Sequence, residues 1–294
     1  MPVPVNSTAA MESGRTGGDA QLGSTPAPIG VFDSGIGGLT VAAALRELLP
    51  SEDVFYIGDT ARVPYGSKGP ETIERYSREL AGLLVVENAK VIVVACNTAS
   101  ALGMRAMREK FSVPIVGVIE PGASAAVAAT RNGQIGVIGT RATIFSRAYE
   151  RAIHALAPDA SVHSLPCPLL VPLIEEGWLN DAITDQVVER YLAPLLAKGV
   201  DTLVLGCTHY PLLREAIARF AGADIVLVDS ARNCAQAVQE LLQLNQIAGA
   251  AQHLGRLRVA LTDKSTAFLR VAEEALALQV GDIELRHVQG IAAA

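Results

Sequence analysis

The chain has 294 residues, half of them hydrophobic, with a formal net charge of -6 and four cysteines. That length suggests one large or two ordinary domains of about 100–200 residues each, and the apolar content excludes a chain that is disordered throughout. A mildly acidic balance with no basic stripe argues against nucleic acid as a partner, and four cysteines in a chain this size do not make a disulfide framework.

Residues 1–28, "MPVPVNSTAAMESGRTGGDAQLGSTPAP", have the Gly, Ser, Thr and Pro content of a disordered tail. They lack the basic start and apolar core of a signal peptide. No uncharged, Pro-free apolar run reaches the roughly 20 residues a membrane helix needs. A soluble, cytoplasmic protein with no membrane partner is the expectation, and reduced cysteines suit that compartment.

From residue 29 onward, short apolar runs alternate with amphipathic segments. "IGVFDSG" precedes "LTVAAALRELLP", where Leu39, Ala42, Leu45 and Leu49 fall at helical spacing. "VFYIG" precedes "PETIERYSRELAGLLVVENA", whose Pro70 suits a first helical turn with Glu71 and Glu74 near its positive end. "VIVVA", "IVGVI", "IGVIG", "TLVLG", "IVLVD" and "RVALTD" read as further strands, each followed by a helical pattern. Such alternation predicts an α/β fold of parallel strands covered by helices on both faces.

Three segments recur in order. "IGVFDSG" at 29 resembles "IGVIGTR" at 135, "VPYGSKG" at 63 resembles "VPLIEEG" at 171, and "VIVVACNT" at 91 resembles "TLVLGCTH" at 202. The offsets of 106, 108 and 111 drift only slightly, so the chain reads as a duplicated α/β half, the two halves facing a central cleft.

Cys96 and Cys207 occupy the equivalent place in each half, directly after a buried strand and before a helix. Ligands of open parallel sheets bind beyond the carboxyl ends of the strands, and a thiol there faces the positive end of a helix, which favours thiolate. A free cysteine often packs as a small hydrophobe. That reading suits Cys234, inside the helical stretch "SARNCAQAVQELL", and Cys167 in "LPCPLL" has no counterpart in the other half. Cys96 and Cys207 differ because each leads into polar groups: Asn97 and Thr98, and Thr208 and His209. A zinc site and a redox disulfide are the other readings, but no close ligand pair and no C-x-x-C is present. Two thiols on opposite walls of a cleft suit the inversion of a stereocentre, one taking a proton from a carbon and the other returning one.

The remaining signals fit a small acidic substrate. "FDSGIGGLT" places Asp33, Ser34 and three glycines between a strand and a helix, where backbone N–H groups favour an anion. It lacks the third glycine of a dinucleotide fingerprint. Asp33 reads equally as a helix cap. "DTARVPYG" offers Tyr65 and Gly66 in a turn, and the repeat brings Glu175 to the cleft opposite it, where a carboxylate can orient His209 or tune a thiol.

With "FDSGIGGLT", "GDTARVPYG", "ACNTAS" and "GCTHYPLL" in this order and spacing, the chain resembles the glutamate racemases of the aspartate/glutamate racemase superfamily, from about residue 29 to near its C-terminus. The resemblance implies cofactor-independent, metal-free interconversion of L- and D-glutamate by two bases, feeding bacterial peptidoglycan synthesis. It implies that Cys96 deprotonates D-glutamate with help from Asp33, and that Cys207 deprotonates L-glutamate with help from Glu175 and His209. Substrate contacts are implied at Asp33, Ser34, Tyr65, Gly66, Asn97, Thr98, Thr208 and His209. A first domain of 29–119 plus 229–294, a second of 120–228 and a homodimer are implied too, the dimer's arrangement left open. Aspartate, one methylene shorter, stays open as substrate, because a pocket separates the two by only about 1–3 kcal/mol. So does a non-catalytic amino-acid-binding protein, which would leave the paired cysteines unexplained.

Overall fold

A computed structural model describes residues 27–249, 252–276, 278 and 280–288. The tail assigned to residues 1–28 therefore lies, up to residue 26, outside the described residues.

The apolar runs form parallel strands. β1 (Ile29–Asp33), β2 (Val54–Gly58), β3 (Val91–Val94), β4 (Ile115–Gly117), β9 (Leu257–Leu261) and β10 (Ile283–Leu285) make one sheet, in the order β10-β9-β2-β1-β3-β4. β5 (Gln134–Gly139), β6 (Ser161–Pro166), β7 (Thr202–Gly206) and β8 (Val226–Asp229) make the other, in the order β6-β5-β7-β8. All pairings are parallel.

Alternate residues of each strand enter opposite cores. Ile29, Val31, Val91 and Val93 join one apolar cluster of the first sheet and Phe32, Ile92 and Val94 the other. In the second sheet Leu203 and Leu205 face one cluster, Ile135, Val137 and Val204 the other. With helices on both faces, the inner strands β1, β2, β3 and β7 are buried on both sides, which is why they read as runs rich in Val, Ile and Leu.

The strand order also displays the duplication. β2-β1-β3-β4 and β6-β5-β7-β8 are the same arrangement of the same successive strands. The chain then runs through the helix Ser230–Leu244, which packs in the first sheet's core with Leu39, Ala42 and Leu45, and adds β9 and β10 beyond β2. In both halves the chain moves from the first strand to one side and then returns to its other side. The crevice between β1 and β3, and that between β5 and β7, is the switch point at which open α/β sheets bind ligands.

Candidate active site

Each switch point carries a cysteine. Cys96 lies two residues past β3 and heads the short helix Asn97–Leu102, its carbonyl accepting from Ser100 N at 2.8 Å. Cys207 directly follows β7. The expected helix after it is delayed: the chain turns through Thr208 and His209 into a 3-10 turn, Tyr210–Leu213, and only then into the helix Arg214–Ala221. Pro211 has no N–H to give an α-helical ladder, so it suits the start of a turn. Both thiols are 5 % exposed and unpaired as disulfides.

One cavity of about 280 Å³ opens between the halves. Ser34, Tyr65, Gly66, Cys96, Asn97 and Thr98 line it from the first half, and Glu175, Cys207, Thr208 and His209 from the second. Ten of the eleven residues singled out from the sequence thus share one wall-to-wall site. The eleventh, Asp33, stands behind it, with no exposed surface. Its Oδ2 accepts from the backbone N–H groups of Gly35 and Gly38, both at 3.0 Å, so it organises the glycine turn as a cap would. Its Oδ1 has no protein partner. Asp33 reaches the cavity by its field and through its neighbour Ser34, whose Oγ lies 3.4 Å from Cys96 Sγ.

The two thiols stand in opposite electrostatic settings. Burial, and then the charge of Asp33, push Cys96 up to about 12, so it rests as a thiol. Cys207 Sγ lies 3.7 Å from Nδ1 of His209, whose Nε2 lies 3.3 Å from Glu175 Oε1, within ion-pair reach but out of line for a hydrogen bond. Burial alone would lower the His209 pKa, but Cys207 and Glu175 together raise it to about 10, so the ring is an imidazolium. The repeat pairs His209 with Thr98 and Asp33 with Gly139. The duplicated halves have diverged to give one cysteine an anion and the other a cation.

Glycine makes the second setting fit. A Cβ on Gly37 would lie 2.4 Å from His209 Nδ1 and 2.6 Å from Thr208 Oγ1, so only a glycine at 37 lets the first half's turn close onto that histidine.

Tyr65 supplies its ring and backbone to the cavity, because its hydroxyl donates to Asp59. Asp59 is fully buried and also accepts from Arg62 Nε at 2.7 Å and from Thr262 Oγ1 at 2.9 Å, which fastens the turn to the segment after β9. Across the cleft, Thr98 Oγ1 lies 3.0 Å from Thr140 Oγ1 and 3.3 Å from Thr143 Oγ1, a hydroxyl cluster that joins the halves.

Sequence reasoning missed Asp59, Thr140, Arg141 and Val171. Thr140, Arg141 and Val171 line the cavity. The repeat held the signal for one of them, since its offset of 106 aligns Ser34 with Thr140. Among the described residues no cluster of His, Cys, Asp and Glu is arranged to hold a metal ion, and no helix is long and apolar enough to cross a membrane.

Two like α/β halves with a small-molecule cavity between them, walled by a cysteine from each, define a two-lobed enzyme class in which both lobes complete one site. Residues 39–238 match the Asp/Glu/hydantoin racemase family model. A glutamate racemase of Geobacter metallireducens is 48% identical over 255 residues, 87% of this chain and 94% of that protein. A glutamate racemase isoform from Bacillus anthracis superposes with a TM-score of 0.85 at 40% identity, covering 88% of this chain and 97% of that one. A Francisella tularensis glutamate racemase, solved in complex with D-glutamate, gives 0.84 at 37% identity, covering 90% and 98%. The chain belongs to the Asp/Glu/hydantoin racemase family and is a racemase, an isomerase by reaction class.

Proposed function

We propose that this racemase interconverts L- and D-glutamate, with Cys96 and Cys207 acting on opposite faces of Cα. The observation that carries the reading is the placement of one thiol at the switch point of each sheet, both lining one cavity. The choice of glutamate is supported by the relatives, which are glutamate racemases at 46–48% identity over most of the chain.

The settings of Cys96 and His209 fit one direction as they stand. With Cys96 a thiol and Cys207 beside a cationic imidazole, Cys207 takes the Cα proton of L-glutamate and Cys96 returns one to the other face, giving D-glutamate. In reverse, Cys96 must first release its proton. The α-ammonium group of the bound amino acid offsets the Asp33 charge that opposes this. Asp33 assists Cys96, and Glu175 and His209 assist Cys207. Ser34, Asn97, Thr98, Thr208 and the Tyr65–Gly66 turn contact the two carboxylates and the amine, with Asp33 behind them. The chemistry calls on no cofactor. The product D-glutamate supplies bacterial peptidoglycan synthesis from the cytoplasm, where the four unpaired cysteines stay reduced. A homodimer is the assembly we propose, and sedimentation measures it.

The test is chiral analysis of metal-free protein with L-glutamate in deuterated water, and L-aspartate in parallel. D-Glutamate carrying deuterium at Cα, while early unreacted substrate carries little, is expected because the incoming hydrogen comes from the opposite thiol. Washout from substrate as fast as product forms would favour one shared base. D-Aspartate alone would keep the mechanism and replace the substrate.

A further inference from the structure

One side chain touches both cysteine loops. Tyr149, in the helix Ala148–Leu156 of the second half, is buried. A Cβ on Gly206, the residue before Cys207, would lie 3.1 Å from its ring carbon Cε2. A Cβ on Gly122 would lie 3.2 Å from its hydroxyl. Both positions are glycine: the Tyr149 ring crowds the space beside Gly122, and at Gly206 it closes the space together with the Ile138 carbonyl, which a Cβ would approach to 2.7 Å. The hydroxyl then crosses to the first half and donates to Oδ1 of Asn97 at 2.7 Å, Asn97 being the residue after Cys96.

This bond takes the oxygen end of the amide and leaves the nitrogen end. An asparagine offers one acceptor oxygen and one donor nitrogen, and the hydrogen-bond partners set which way it turns. Burial, first among its causes, holds the Tyr149 phenol well above its ordinary pKa, so it keeps a proton to give. With Oδ1 held, Nδ2 is left buried without a protein partner on a residue that lines the cavity. A donor nitrogen suits a carboxylate oxygen; a reversed amide would set an acceptor against it.

We infer that Tyr149 is a positioning residue of this site: it locks the Asn97 amide so that Nδ2 is the end offered to a substrate carboxylate, and it ties the Cys96 loop to the Cys207 loop. The kinetic consequence rests on the proposed glutamate reaction; the structural consequence does not.

Tyr149→Phe keeps the ring and removes only the hydroxyl. The expected result is a KM for glutamate raised about three- to tenfold, the size of one hydrogen bond, with kcat changed less and the melting temperature close to that of the unmodified chain. In the Asn97→Ala background the same change should add no further loss of substrate affinity. In substrate-free, 15N-labelled protein, the Asn97 side-chain amide resonances should shift in Tyr149→Phe. An unchanged KM with a lowered melting temperature would make Tyr149 a packing residue only. A full additional loss in the Asn97→Ala background, or unmoved Asn97 amide resonances, would equally overturn the inference. An unmodified chain that fails to racemise glutamate would count against the proposed reaction, while the substrate-free resonances still decide on Tyr149.

Discussion

His209 stands between Cys207 and Glu175, with Nδ1 3.7 Å from the sulfur and Nε2 3.3 Å from the carboxylate. The other cysteine has no such cation. Cys96 Sγ meets the Ser34 hydroxyl and the Ala99 backbone N–H, with the Asp33 carboxylate behind. One ring therefore makes the two thiols unequal, although the halves that carry them share a strand order.

Replacing either sulfur by oxygen removes an acid–base group of suitable strength. Cys96→Ser and Cys207→Ser should each lower kcat by about 10²–10⁴-fold, the usual contribution of one general acid or base. Circular dichroism should stay native, and binding of glutamate by calorimetry should persist. A variant that still racemises within a few-fold of the unmodified rate would remove that cysteine from the mechanism.

The His209 charge gives a pH dependence with a definite sign. Its pKa rises from 6.5 to about 10 on folding, so between these values the folded state holds a proton the unfolded state has lost. Cys96 does the same between 9.0 and about 12. In each window stability falls as pH rises, and the contribution is complete only below the lower value. Melting temperature should decline above about pH 6.5. Glu175→Gln should shrink the part due to His209, and Cys96→Ala the part at the alkaline end. Thermal scans across pH measure both, and a flat profile would contradict a charged His209.

Gly37 admits His209 to its position. In Gly37→Ala, the new methyl must displace the imidazole or the Thr208 hydroxyl, since it would fall 2.4 Å and 2.6 Å from them. A misplacement near 1 Å costs about 10² in rate, so kcat/KM should fall by about that factor. If activity is retained, the turn is more yielding than the close contact implies.

Asp59 anchors the Tyr65 turn through three donors. Asp59→Asn weakens charge-assisted bonds to a buried site and should cost about 1–3 kcal/mol, read by urea unfolding. KM should rise as well, because the turn lines the cavity. A stability loss with KM unchanged would confine Asp59 to packing.

Eight strands were legible because strands covered by helices on both faces are apolar along most of their length, even where, as in β8 and β9, one end is exposed. β6 was not: in "SVHSLP" at the edge of its sheet, every residue is only partly buried, so polar Ser161, His163 and Ser164 are tolerated. β10 is three residues at the other sheet's edge and carries Glu284. Asp33 reads from the sequence both as a candidate site residue and as a helix cap; in the structure its Oδ2 instead holds the glycine turn ahead of the helix, by accepting from the Gly35 and Gly38 N–H groups, and the helix itself begins after Gly38 without a side-chain cap. Tyr65 was legible as a wall of the cleft, but its hydroxyl turned away to Asp59, a residue whose burial no local pattern announces.

By itself, then, the sequence determined the alternation of parallel strands and helices, the duplication and the two thiols at equivalent strand ends. All of these follow from short-range periodicity and from order along the chain. Tertiary structure alone decided which of the two thiols meets a cation, which end of the Asn97 amide is left free, and why Gly37, Gly122 and Gly206 lack side chains. Those features depend on distance and direction between atoms from segments far apart in sequence. A hydrogen bond or a van der Waals contact is defined by those quantities and leaves no period in the chain.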